Sequence, residues 1–362
     1  MKRLIINSHN QDEVITTAVS ALSKGGLVVF PSDTIYGLAA DATSQTAVTH
    51  LLSFKERAPG KPVSIAVRDM AMLEQYVSVS AHNRQVLSTL LPGPFTAVLP
   101  SKHRTVPTLE AEDGSLGVRI PAAPFVAALS KAYPHPYTAT SANLSGKGPH
   151  YSIDALLHTL SEKKKQMIDL YIDAGELPHN PPSTVLSLQA DTIQTMRGGN
   201  YTLTLQKTFQ SHSAVQTQQF AKQIIDNHRS LLSSQPLVLL LQGDLGAGKT
   251  VFAQGIGDAV GVKKRVVSPT YVLYYEYEAH DPQVDLFHHF DLYRAQSKED
   301  LELLGIHRIL KPQAVIAMEW GEKMGSVQQL LQAPHATILL VTITQEKQEN
   351  DRLLQVYELS WN

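Results

Sequence analysis

Apolar residues recur at two different spacings along this chain, and the spacing changes from one stretch to the next. Residues 11–24 place apolar side chains on one face of a helix, and a glycine pair ends the pattern. Apolar runs of strand length occur at residues 27–30, 237–241 and 314–321. Helical and strand-like patterns alternate through both halves of the chain, which predicts an α/β fold for each half.

The chain has 362 residues, a length that predicts two domains. Residues 206–219 are rich in Gln, Ser and Thr and contain little apolar sequence, which is typical of a join between domains. We therefore predict a first domain over residues 1–207 and a second over residues 208–362. Each is long enough to bury a hydrophobic core.

The most specific motif is GDLGAGKT at residues 243–250, with a strand-like run before it and a helical pattern after it. Its glycines let the backbone turn tightly and aim N–H groups at one point, where the helix N-terminus adds positive potential. In such a loop Lys249 reaches the β- and γ-phosphates and the Thr250 hydroxyl ligates Mg²⁺. The second domain is thus predicted to bind a nucleoside triphosphate. A glycine-rich turn with a chance Lys-Thr pair is the less specific alternative.

Other polar residues of the second half follow predicted strands. Asp291 ends an apolar strand, where a phosphate-loop enzyme keeps its magnesium-side carboxylate. Glu319 and Trp320 end another, and ligands bind at that end of open α/β sheets. Thr270 lies in a Ser-Pro-Thr turn and is a candidate sensor of the γ-phosphate. Turn capping for Thr270 and simple packing for the indole are the alternatives.

The first half has no such loop, and its individual signals are weaker. PSDTIYGL at residues 31–38 and TATSANLSG at residues 138–146 place hydroxyls on turns after strands. Such hydroxyls either satisfy the backbone of the turn or form a donor-rich pocket for an anion. Lys55, Arg57 and Lys61 gather at a helix-to-loop junction, as a solvated basic face or as an anion clamp.

Composition excludes several classes of protein. The chain has no cysteine, which excludes disulfides, thiolate zinc sites and cysteine nucleophiles. A net charge of −2 gives no global basic field, so any nucleic-acid contact must depend on a local patch. The N-terminus turns polar too early for a signal peptide, and no apolar run approaches the roughly 20 residues of a membrane span. We expect a cytoplasmic protein that has no contact with a membrane.

Seven stretches of the first half, taken in order, resemble the YrdC-like threonylcarbamoyl-adenylate synthase family. They are PSDTIYGL, KERAPGKP, LPGPFTAVLP, SLGVRIP, TATSANLSG, PSTV and MRGGN, over about residues 12–205. The resemblance implies a twisted-sheet α/β domain that joins L-threonine, bicarbonate and ATP into threonylcarbamoyl-AMP and releases pyrophosphate. Because the threonine carbamate itself attacks the α-phosphorus, catalysis would depend on positioning and charge neutralisation.

The same resemblance implies roles for individual residues. The catalytic residues, which hold the triphosphate and the leaving pyrophosphate, are Lys55, Arg57 and Lys61. The threonine site consists of Ser32, Arg119, Ala139 and Ser183, with Arg119 pairing the substrate carboxylate. The nucleotide site consists of Lys55, Arg57, Ser115, Ser141, Asn143 and Arg197. The family usually has Thr at the position of Ser32, so we expect a change in threonine affinity rather than in chemistry.

The second half resembles TsaE, the small ATPase of bacterial tRNA threonylcarbamoylation. The matching stretches are GDLGAGKT, SPTY, HFDLYR, LELLGI and EW, over about residues 211–355. The resemblance implies a P-loop NTPase fold in which Thr250 and Glu319 hold Mg²⁺ and Asp291 acts near the attacking water. Arg352 is a weaker match. Nucleotide contacts are implied for Thr217, Asp244, Leu245, Gly246, Ala247, Gly248, Lys249, Thr250, Thr270 and Trp320.

The two resemblances belong to one pathway, so we interpret the chain as a bifunctional fusion in the biosynthesis of tRNA threonylcarbamoyladenosine. The first domain supplies threonylcarbamoyl-AMP, and the second hydrolyses ATP to support the transferase. The chain has no glycoprotease-like H-x-x-x-H metal motif. A separate TsaD–TsaB-like transferase complex is therefore the expected partner, with tRNA contacted indirectly or weakly.

Two alternatives come from other classes of protein. The first domain is either the synthase or a non-catalytic module that binds double-stranded RNA, for which its cations would serve equally well. Ser141, Asn143 and Arg197 favour the synthase, because an RNA-binding module needs no threonine pocket. The second domain is either TsaE-like or a small-molecule kinase, which would transfer phosphate to an added acceptor.

Overall fold

The computed structural model describes residues 2–57, 60–189, 193–199, 201–269, 272–294, 304–320, 336–346, 348 and 350–361. The chain forms two compact units. The first unit consists of residues 1–80 and 91–200, and the second of residues 81–90 and 201–362. The short helix at residues 81–90, for which the sequence analysis makes no prediction, therefore groups with the second half of the chain.

The helices of the described residues are numbered in chain order. They are α1 (Gln11–Ser23), α2 (Gln45–Lys55), α3 (Met70–Tyr76), α4 (Ala81–Leu90), α5 (Pro124–Ala132), α6 (Ile153–Thr159), α7 (Glu162–Gln166), α8 (Ala214–Leu232), α9 (Lys249–Ala259) and α10 (Ile306–Ile309). Single 3₁₀ turns occur at Pro107–Leu109 and Leu292–Arg294.

The strands of the first unit form two mixed sheets. They are β1 (Lys2–Ile5), β2 (Val28–Pro31), β3 (Tyr36–Ala39), β4 (Ile65–Ala66), β5 (Phe95–Pro100), β6 (Ser115–Arg119), β7 (Tyr137–Thr138), β8 (Thr140–Ser141), β9 (Leu170–Asp173), β10 (Thr184–Ser187) and β11 (Gln194–Arg197). The first sheet has the order β1-β9-β2-β3-β8, and the second has the order β11-β10-β5-β6-β4-β7.

Both faces of the first sheet are covered by helices. Val28 and Phe30 of β2 pack in one buried cluster with side chains of α1 and α5. The intervening Val29 packs in another cluster with side chains of α2 and α6. A strand that is buried on both faces needs apolar residues at consecutive positions, which explains the unbroken apolar run that predicted β2.

Strand pairing brings distant motifs of the first unit to one place. Pro31 of β2 pairs with Tyr36 of β3, so residues 32–35 form the turn between them. The register also pairs Gly37 with Ser141 and Ala66 with Arg119. The turn, the end of β6 and the segment between β7 and β8 therefore belong to one neighbourhood.

The second unit contains one seven-stranded sheet. Its strands are β12 (Tyr201–Ser211), β13 (Leu237–Gln242), β14 (Tyr274–Asp281), β15 (Val284–Asp291), β16 (Ala314–Glu319), β17 (Thr337–Gln345) and β18 (Arg352–Trp361). The order is β12-β18-β17-β13-β16-β15-β14, with β17, β13, β16 and β15 mutually parallel. Helices α8 and α9 share a buried cluster with β13, which includes Phe220, Phe252 and Leu239. The α/β class predicted for both halves is thus confirmed.

Residues 206–219 do not form a polar linker. Residues 206–211 continue β12, which pairs with β18, and α8 begins at Ala214. Gln206, Thr208 and Gln210 are exposed and alternate with less exposed positions. The polar composition is therefore that of a strand with one solvated face, which composition alone did not distinguish from a linker.

Candidate active sites in the two units

A cavity of about 510 Å³ opens in the first unit. It is bordered by the turn between β2 and β3, by β5, β6 and β10, and by segments near residues 57, 140 and 197. Eight residues with roles implied by the sequence line it, namely Ser32, Arg57, Ser115, Arg119, Ala139, Ser141, Ser183 and Arg197. The fold therefore gathers the implied threonine residues and most of the implied nucleotide residues around one space.

Three guanidinium groups face this cavity. Arg57 donates to the backbone carbonyls of residues 61 and 62, at 3.1 and 2.6 Å, and Arg197 donates to the carbonyl of Ser183 at 3.0 Å. Burial lowers the pKa of Arg57. Burial and then the charge of Arg119 lower the pKa of Arg197. Cations that are partly desolvated and close to one another favour an anionic ligand between them.

Ser32 closes the turn between β2 and β3. Its Oγ donates to the carbonyl of Ile35 at 2.6 Å and accepts from the N–H groups of Thr34 and Ile35 at 3.2 Å. This is the role that hydroxyls at strand ends often have. The next side chain, Asp33, also lines the cavity, and its Oδ1 lies 3.6 Å from Nη2 of Arg119.

Two of the implied serines are buried at the cavity wall. The backbone N–H of Ser115 donates to Oδ1 of Asp113 at 3.0 Å. Hydrogen bonding by Ser115, followed by that of the Gln189 side chain, lowers the pKa of Asp113. Ser183 Oγ lies 3.1 Å from Oγ1 of Thr96. The hydroxyl of Ser183 is thus held at a fixed place in the wall.

Lys55, Lys61 and Asn143 lie outside the lining of the cavity. Lys55 is only 2% exposed, and its Nζ donates to the carbonyls of Ser141 and Asn143 at 2.5 and 2.9 Å. Burial and then the charge of Arg57 lower its pKa to about 7. Lys61 is exposed. Lys55 therefore holds the segment that carries Ser141, whereas Lys61 faces solvent.

The sequence analysis assigns no role to Asp33 or Thr96, although both line the cavity. Each lies inside a stretch that the analysis quotes, PSDTIYGL for Asp33 and LPGPFTAVLP for Thr96. Asp33 is the charged residue of its stretch, and that charge was the available signal. Thr96 has no comparable signal, because a threonine in a strand is ordinary.

The phosphate loop of the second unit joins β13 to α9. The φ angles of Gly243, Gly246 and Gly248 are +158°, +80° and +111°, which L side chains rarely adopt. Asp244 and Leu245 form the exposed tip of the loop together with Gly246. The predicted loop therefore has the backbone that its motif requires.

Lys249 bends back over this loop. Its Nζ donates to the carbonyls of Gly243 and Asp244 at 2.6 and 3.0 Å and lies 3.8 Å from the ring centre of Trp320. Trp320 has a φ of +61°, an uncommon value for a bulky residue, and its ring is 5.1 Å from that of Tyr293. The lysine charge is thus satisfied within the unit by carbonyl oxygens and an indole face.

Two implied magnesium ligands lie side by side. Thr250 Oγ1 donates to Oε1 of Glu319 at 2.9 Å, and His289 Nε2 lies 2.9 Å from the same oxygen. Mg²⁺ takes octahedral oxygen ligands at 2.0–2.1 Å, so adjacent ligand oxygens are about 2.9 Å apart. The spacing of Thr250 and Glu319 therefore fits this ion. Among the described residues, no three His, Asp or Glu side chains form a metal-binding group, so phosphate and water would complete the shell.

Asp291 is fixed at the end of β15. Ser268 Oγ donates to its Oδ2 at 2.6 Å, and the N–H of Tyr293 donates to its Oδ1 at 3.1 Å. The pairing of β15 with β16 places Asp291 opposite Glu319. The two carboxylates therefore lie on adjacent strand ends. Thr270, the candidate switch residue, lies outside the described residues.

The remaining implied residues lie beside the loop. Thr217 is buried in α8, and its Oγ1 is 2.8 Å from Oγ of Ser211. Ser211 pairs with Arg352 of β18. Arg352 Nε donates to the carbonyl of Ala247 at 2.9 Å. The weaker match of the sequence analysis is thus in direct contact with the phosphate loop.

A helix must be long and apolar to cross a membrane. Within the part of the chain that the structure describes, no helix has the length and apolar character that crossing a membrane requires.

Two protein-family models match the chain. The Sua5–YciO–YrdC model, described as telomere recombination, matches residues 20–199. The TsaE model, described as threonylcarbamoyl adenosine biosynthesis protein TsaE, matches residues 211–353. The two matches follow one another along the chain, as the two resemblances predict.

Curated relatives resemble the first of these regions. A putative threonylcarbamoyl-AMP synthase of Methanocaldococcus jannaschii is 32% identical over 194 residues, which cover 54% of this chain and 89% of the relative. A threonylcarbamoyl-AMP synthase of Xanthomonas campestris pv. campestris is 34% identical over 145 residues, which cover 39% of this chain and 78% of the relative. Most of each relative is therefore represented here.

Solved structures resemble a larger part of the chain. A variant of P. abyssi Sua5 has a TM-score of 0.51 and 21% identity, and the match covers 94% of this chain and 99% of that chain. P. abyssi Sua5 complexed with L-threonine has a TM-score of 0.50 and 17% identity, covering 90% and 94%. At these identities the similarity shows the fold alone. Together, the comparisons confirm both resemblances.

Proposed function

This chain belongs to the Sua5–YciO–YrdC family and carries a TsaE domain after it, and from that premise we propose a bifunctional protein of tRNA threonylcarbamoyladenosine biosynthesis. The first unit joins L-threonine, bicarbonate and ATP into threonylcarbamoyl-AMP, with release of pyrophosphate and water. The second unit hydrolyses ATP to support a transferase. The proposed functional boundary is at residues 207 and 208, close to the division of the compact units at residues 200 and 201.

The observation that carries the proposal is the cavity of the first unit, which collects three guanidinium groups from separate elements. Arg119 is the proposed partner of the threonine carboxylate. Arg57 and Arg197 supply charge for the phosphates, and a guanidinium fork suits both kinds of anion. A volume of about 510 Å³ is in the range of small-ligand sites.

The reaction needs positioned charge more than a protein nucleophile. A carbamate oxygen of the substrate attacks the α-phosphorus, and the bond from that phosphorus to the bridging oxygen breaks as pyrophosphate leaves. Arg57 and Lys61 stabilise the charge that develops on pyrophosphate. Lys55 joins them when phosphate oxygens replace the carbonyls of Ser141 and Asn143 as its acceptors. Ser115, Ser141, Asn143 and Arg197 hold the nucleotide, and Ser32, Ala139 and Ser183 border threonine.

The second unit binds a further ATP at the phosphate loop. Lys249 exchanges its carbonyl contacts for phosphate oxygens, and Thr250 and Glu319 hold Mg²⁺. When bound, Mg²⁺ supplies charge neutralisation at the β- and γ-phosphates. Asp291, held by two hydrogen bonds, orients the attacking water. Thr217, Asp244–Gly248, Thr270 and Trp320 complete the proposed nucleotide site.

The proposed partner is a TsaD–TsaB-like complex, which transfers the threonylcarbamoyl group to tRNA; tRNA contacts this chain indirectly or weakly. We consider the alternative of a double-stranded RNA-binding module less well supported, because only Lys61 of the clustered cations Lys55, Arg57 and Lys61 is exposed. Such a module needs accessible cations along a surface. Lys55 is instead 2% exposed and engaged with two carbonyls.

Mass spectrometry of a reaction with ATP, Mg²⁺, L-threonine and bicarbonate tests the proposal. The purified chain and a Lys249→Ala variant are run side by side. Threonylcarbamoyl-AMP and pyrophosphate from both proteins are expected. Absence of the adenylate from both, with ATP hydrolysis lost only in the variant, would leave an ATPase joined to a binding module. Phosphoryl transfer from ATP to an added small-molecule acceptor would instead identify the second unit as a kinase.

A further inference from the structure

Two oppositely charged side chains, Asp33 and Arg119, line the cavity of the first unit, and each has an unsatisfied polar atom. Oδ1 of Asp33 and Nε of Arg119 are buried, and neither has a hydrogen-bond partner among the described residues. Nη2 of Arg119 lies 3.6 Å from Oδ1 of Asp33, beyond hydrogen-bond distance. The pair balances its charges, but it leaves unmade the hydrogen bonds that buried ion pairs normally need.

The backbone at Asp33 is held firmly, so this arrangement is not a loose turn. Ser32 Oγ forms hydrogen bonds with three backbone groups of the turn. Nδ2 of Asn180 donates to the carbonyl of Asp33 at 2.7 Å. An aspartate in a turn commonly accepts a bond from its own backbone, but Oδ1 of Asp33 does not. The turn therefore holds the Asp33 carboxylate beside Arg119 in the wall of the cavity, with Oδ1 left unsatisfied among the described residues.

A ligand that suits the Asp33–Arg119 pair carries a cationic hydrogen-bond donor and an anionic acceptor a few bonds apart. The zwitterion of an α-amino acid has this form. We propose that Asp33 binds the α-ammonium group of the substrate while Arg119 binds its carboxylate. This inference rests on the proposed function of the first unit and adds a residue to it.

The assignment also separates two subsites within one cavity. The triphosphate of ATP is anionic, so the carboxylate of Asp33 repels it and the cluster of Arg57 and Arg197 attracts it. An amino acid is attracted to the end that contains Asp33 and Arg119. Ser32 Oγ already bonds to its own turn, so Asp33 is the charged contact that this turn offers to the substrate. Asp33 thereby selects amino acids over the corresponding 2-hydroxy acids.

Three probes, with titration calorimetry on the full chain, test the assignment in the presence of a non-cleavable ATP analogue. L-Threonine carries both charges, L-threoninol lacks the carboxylate, and 2,3-dihydroxybutanoate lacks the ammonium group. For Asp33→Asn we expect L-threonine and L-threoninol to bind at least about tenfold more weakly, since a charge-assisted hydrogen bond is lost. Binding of 2,3-dihydroxybutanoate is expected to stay within about twofold or to tighten.

Two further variants keep the test decisive. Asp33→Glu retains the charge and is expected to retain the preference for L-threonine over 2,3-dihydroxybutanoate. Asp12→Asn removes an exposed carboxylate from α1 and matches the change in net charge; it is expected to bind all three probes as the unchanged chain does. In adenylate formation, Asp33→Asn is expected to raise KM for L-threonine more than it lowers kcat.

The outcomes separate the inference from the proposed function. If Asp33→Asn weakens all three probes equally, Asp33 serves only the shape of the cavity and the assignment is wrong. If it weakens none of them, Asp33 is only the structural partner of Arg119, and the assignment is again wrong. If the unchanged chain neither binds L-threonine nor forms the adenylate, the proposed function itself fails, and the inference fails with it.

Discussion

The two candidate sites differ in how their residues are distributed along the chain. The phosphate loop occupies eight consecutive positions, 243–250, between one strand and one helix. The cavity of the first unit takes its lining from positions between 30 and 197. A contiguous site is specified by local backbone geometry, whereas a distributed site exists only after strands have paired. Short motifs therefore identify the first kind of site, and only an ordered set of motifs identifies the second.

The sites also differ in how their charges are satisfied. Lys249 already contacts two carbonyls and the Trp320 ring. At the cavity, Arg119 and Asp33 each leave a buried polar atom without a hydrogen bond from any residue that the structure describes. Binding at the phosphate loop must therefore exchange existing contacts, and so must binding at Arg57 and Arg197 of the cavity. A ligand at Asp33 and Arg119 can instead make new ones. The following predictions use substitutions in one site to test its independence from the other, beginning with the largest effect.

Lys249→Ala gives the sharpest separation of the two sites. We expect ATP hydrolysis by the second unit to fall by at least about a hundredfold, because the charge that stabilises the transferred phosphoryl group is lost. Formation of threonylcarbamoyl-AMP is expected to stay within about twofold. Phosphate release and mass spectrometry of the adenylate measure the two activities. A parallel loss of ATP hydrolysis and adenylate formation would show that the two sites are coupled, and the two sites could then not be treated as independent.

Arg197→Gln tests whether the cations of the cavity repel one another until an anion binds. Arg197 is exposed but partly desolvated beside Arg119, so removing its charge is expected to leave the unfolding temperature without ligand unchanged or to raise it. The stabilisation by ATP and kcat/KM for adenylate formation are expected to fall, the latter by about tenfold to a hundredfold. Scanning calorimetry with and without ATP provides the measurement, with the exposed Arg68→Gln as a control. A large drop in ligand-free stability would identify Arg197 as structural.

Substitutions of His289 test whether its contact with Glu319 helps to hold the proposed Mg²⁺ ligands in place. His289 Nε2 lies 2.9 Å from the Glu319 oxygen that also accepts from Thr250. Removing such an outer contact typically costs 10- to 100-fold in metal affinity. His289→Leu is therefore expected to raise the Mg²⁺ concentration for half-maximal nucleotide binding by about tenfold. His289→Gln, which keeps a donor near that place, is expected to recover part of the loss. Nucleotide affinity without Mg²⁺ should change little in either variant.

Lys55 gives the smallest expected effect, a dependence of stability on pH. Its pKa is lowered from 10.5 to about 7. Between these values the unfolded chain binds more protons at this group than the folded chain does, so stability rises as pH increases through the window. From pH 7 to 9 we expect a gain of roughly 1–3 kcal/mol relative to Lys55→Met. Urea unfolding followed by circular dichroism measures it. An NMR titration of Lys55 with its midpoint near 10.5 would contradict the prediction.

The elements were easier to predict than the contacts between them. The helical pattern predicted at residues 11–24 agrees with α1 to within one residue, and the strand-like run at residues 237–241 agrees with β13 to within one residue. Periodicity is a local property of the chain, so it identifies such elements directly. Residues 206–219 form the end of a strand and the start of a helix instead of a linker. Composition did not distinguish the two, because a strand with one solvated face has nearly the composition of a linker.

For the two candidate sites, the sequence could not predict the contacts between residues that are distant in the chain. The pattern around residues 243–250 contained nearly all that the loop needed, but not the contact of Arg352 with Ala247, which lies far away in the chain. Asp33 lies in a quoted motif, but the motif does not show that Arg119, on a strand of the other sheet, lies 3.6 Å from its Oδ1. Nor does it show that this oxygen is unsatisfied among the described residues. The burial of Lys55 had no sequence signal, since lysine is rarely buried.

The sequence by itself determined the α/β class of both halves, the position of the phosphate loop and the two resemblances. These depend on residue spacing and on motifs that are contiguous in the chain. Only the tertiary structure shows which charged side chains face one another in the cavity. Only the tertiary structure also shows that Lys55 donates hydrogen bonds to backbone carbonyls and that His289 contacts Glu319. The physical reason is that a side chain's burial and partners are set by strand register and packing, which bring together residues that are distant in the sequence.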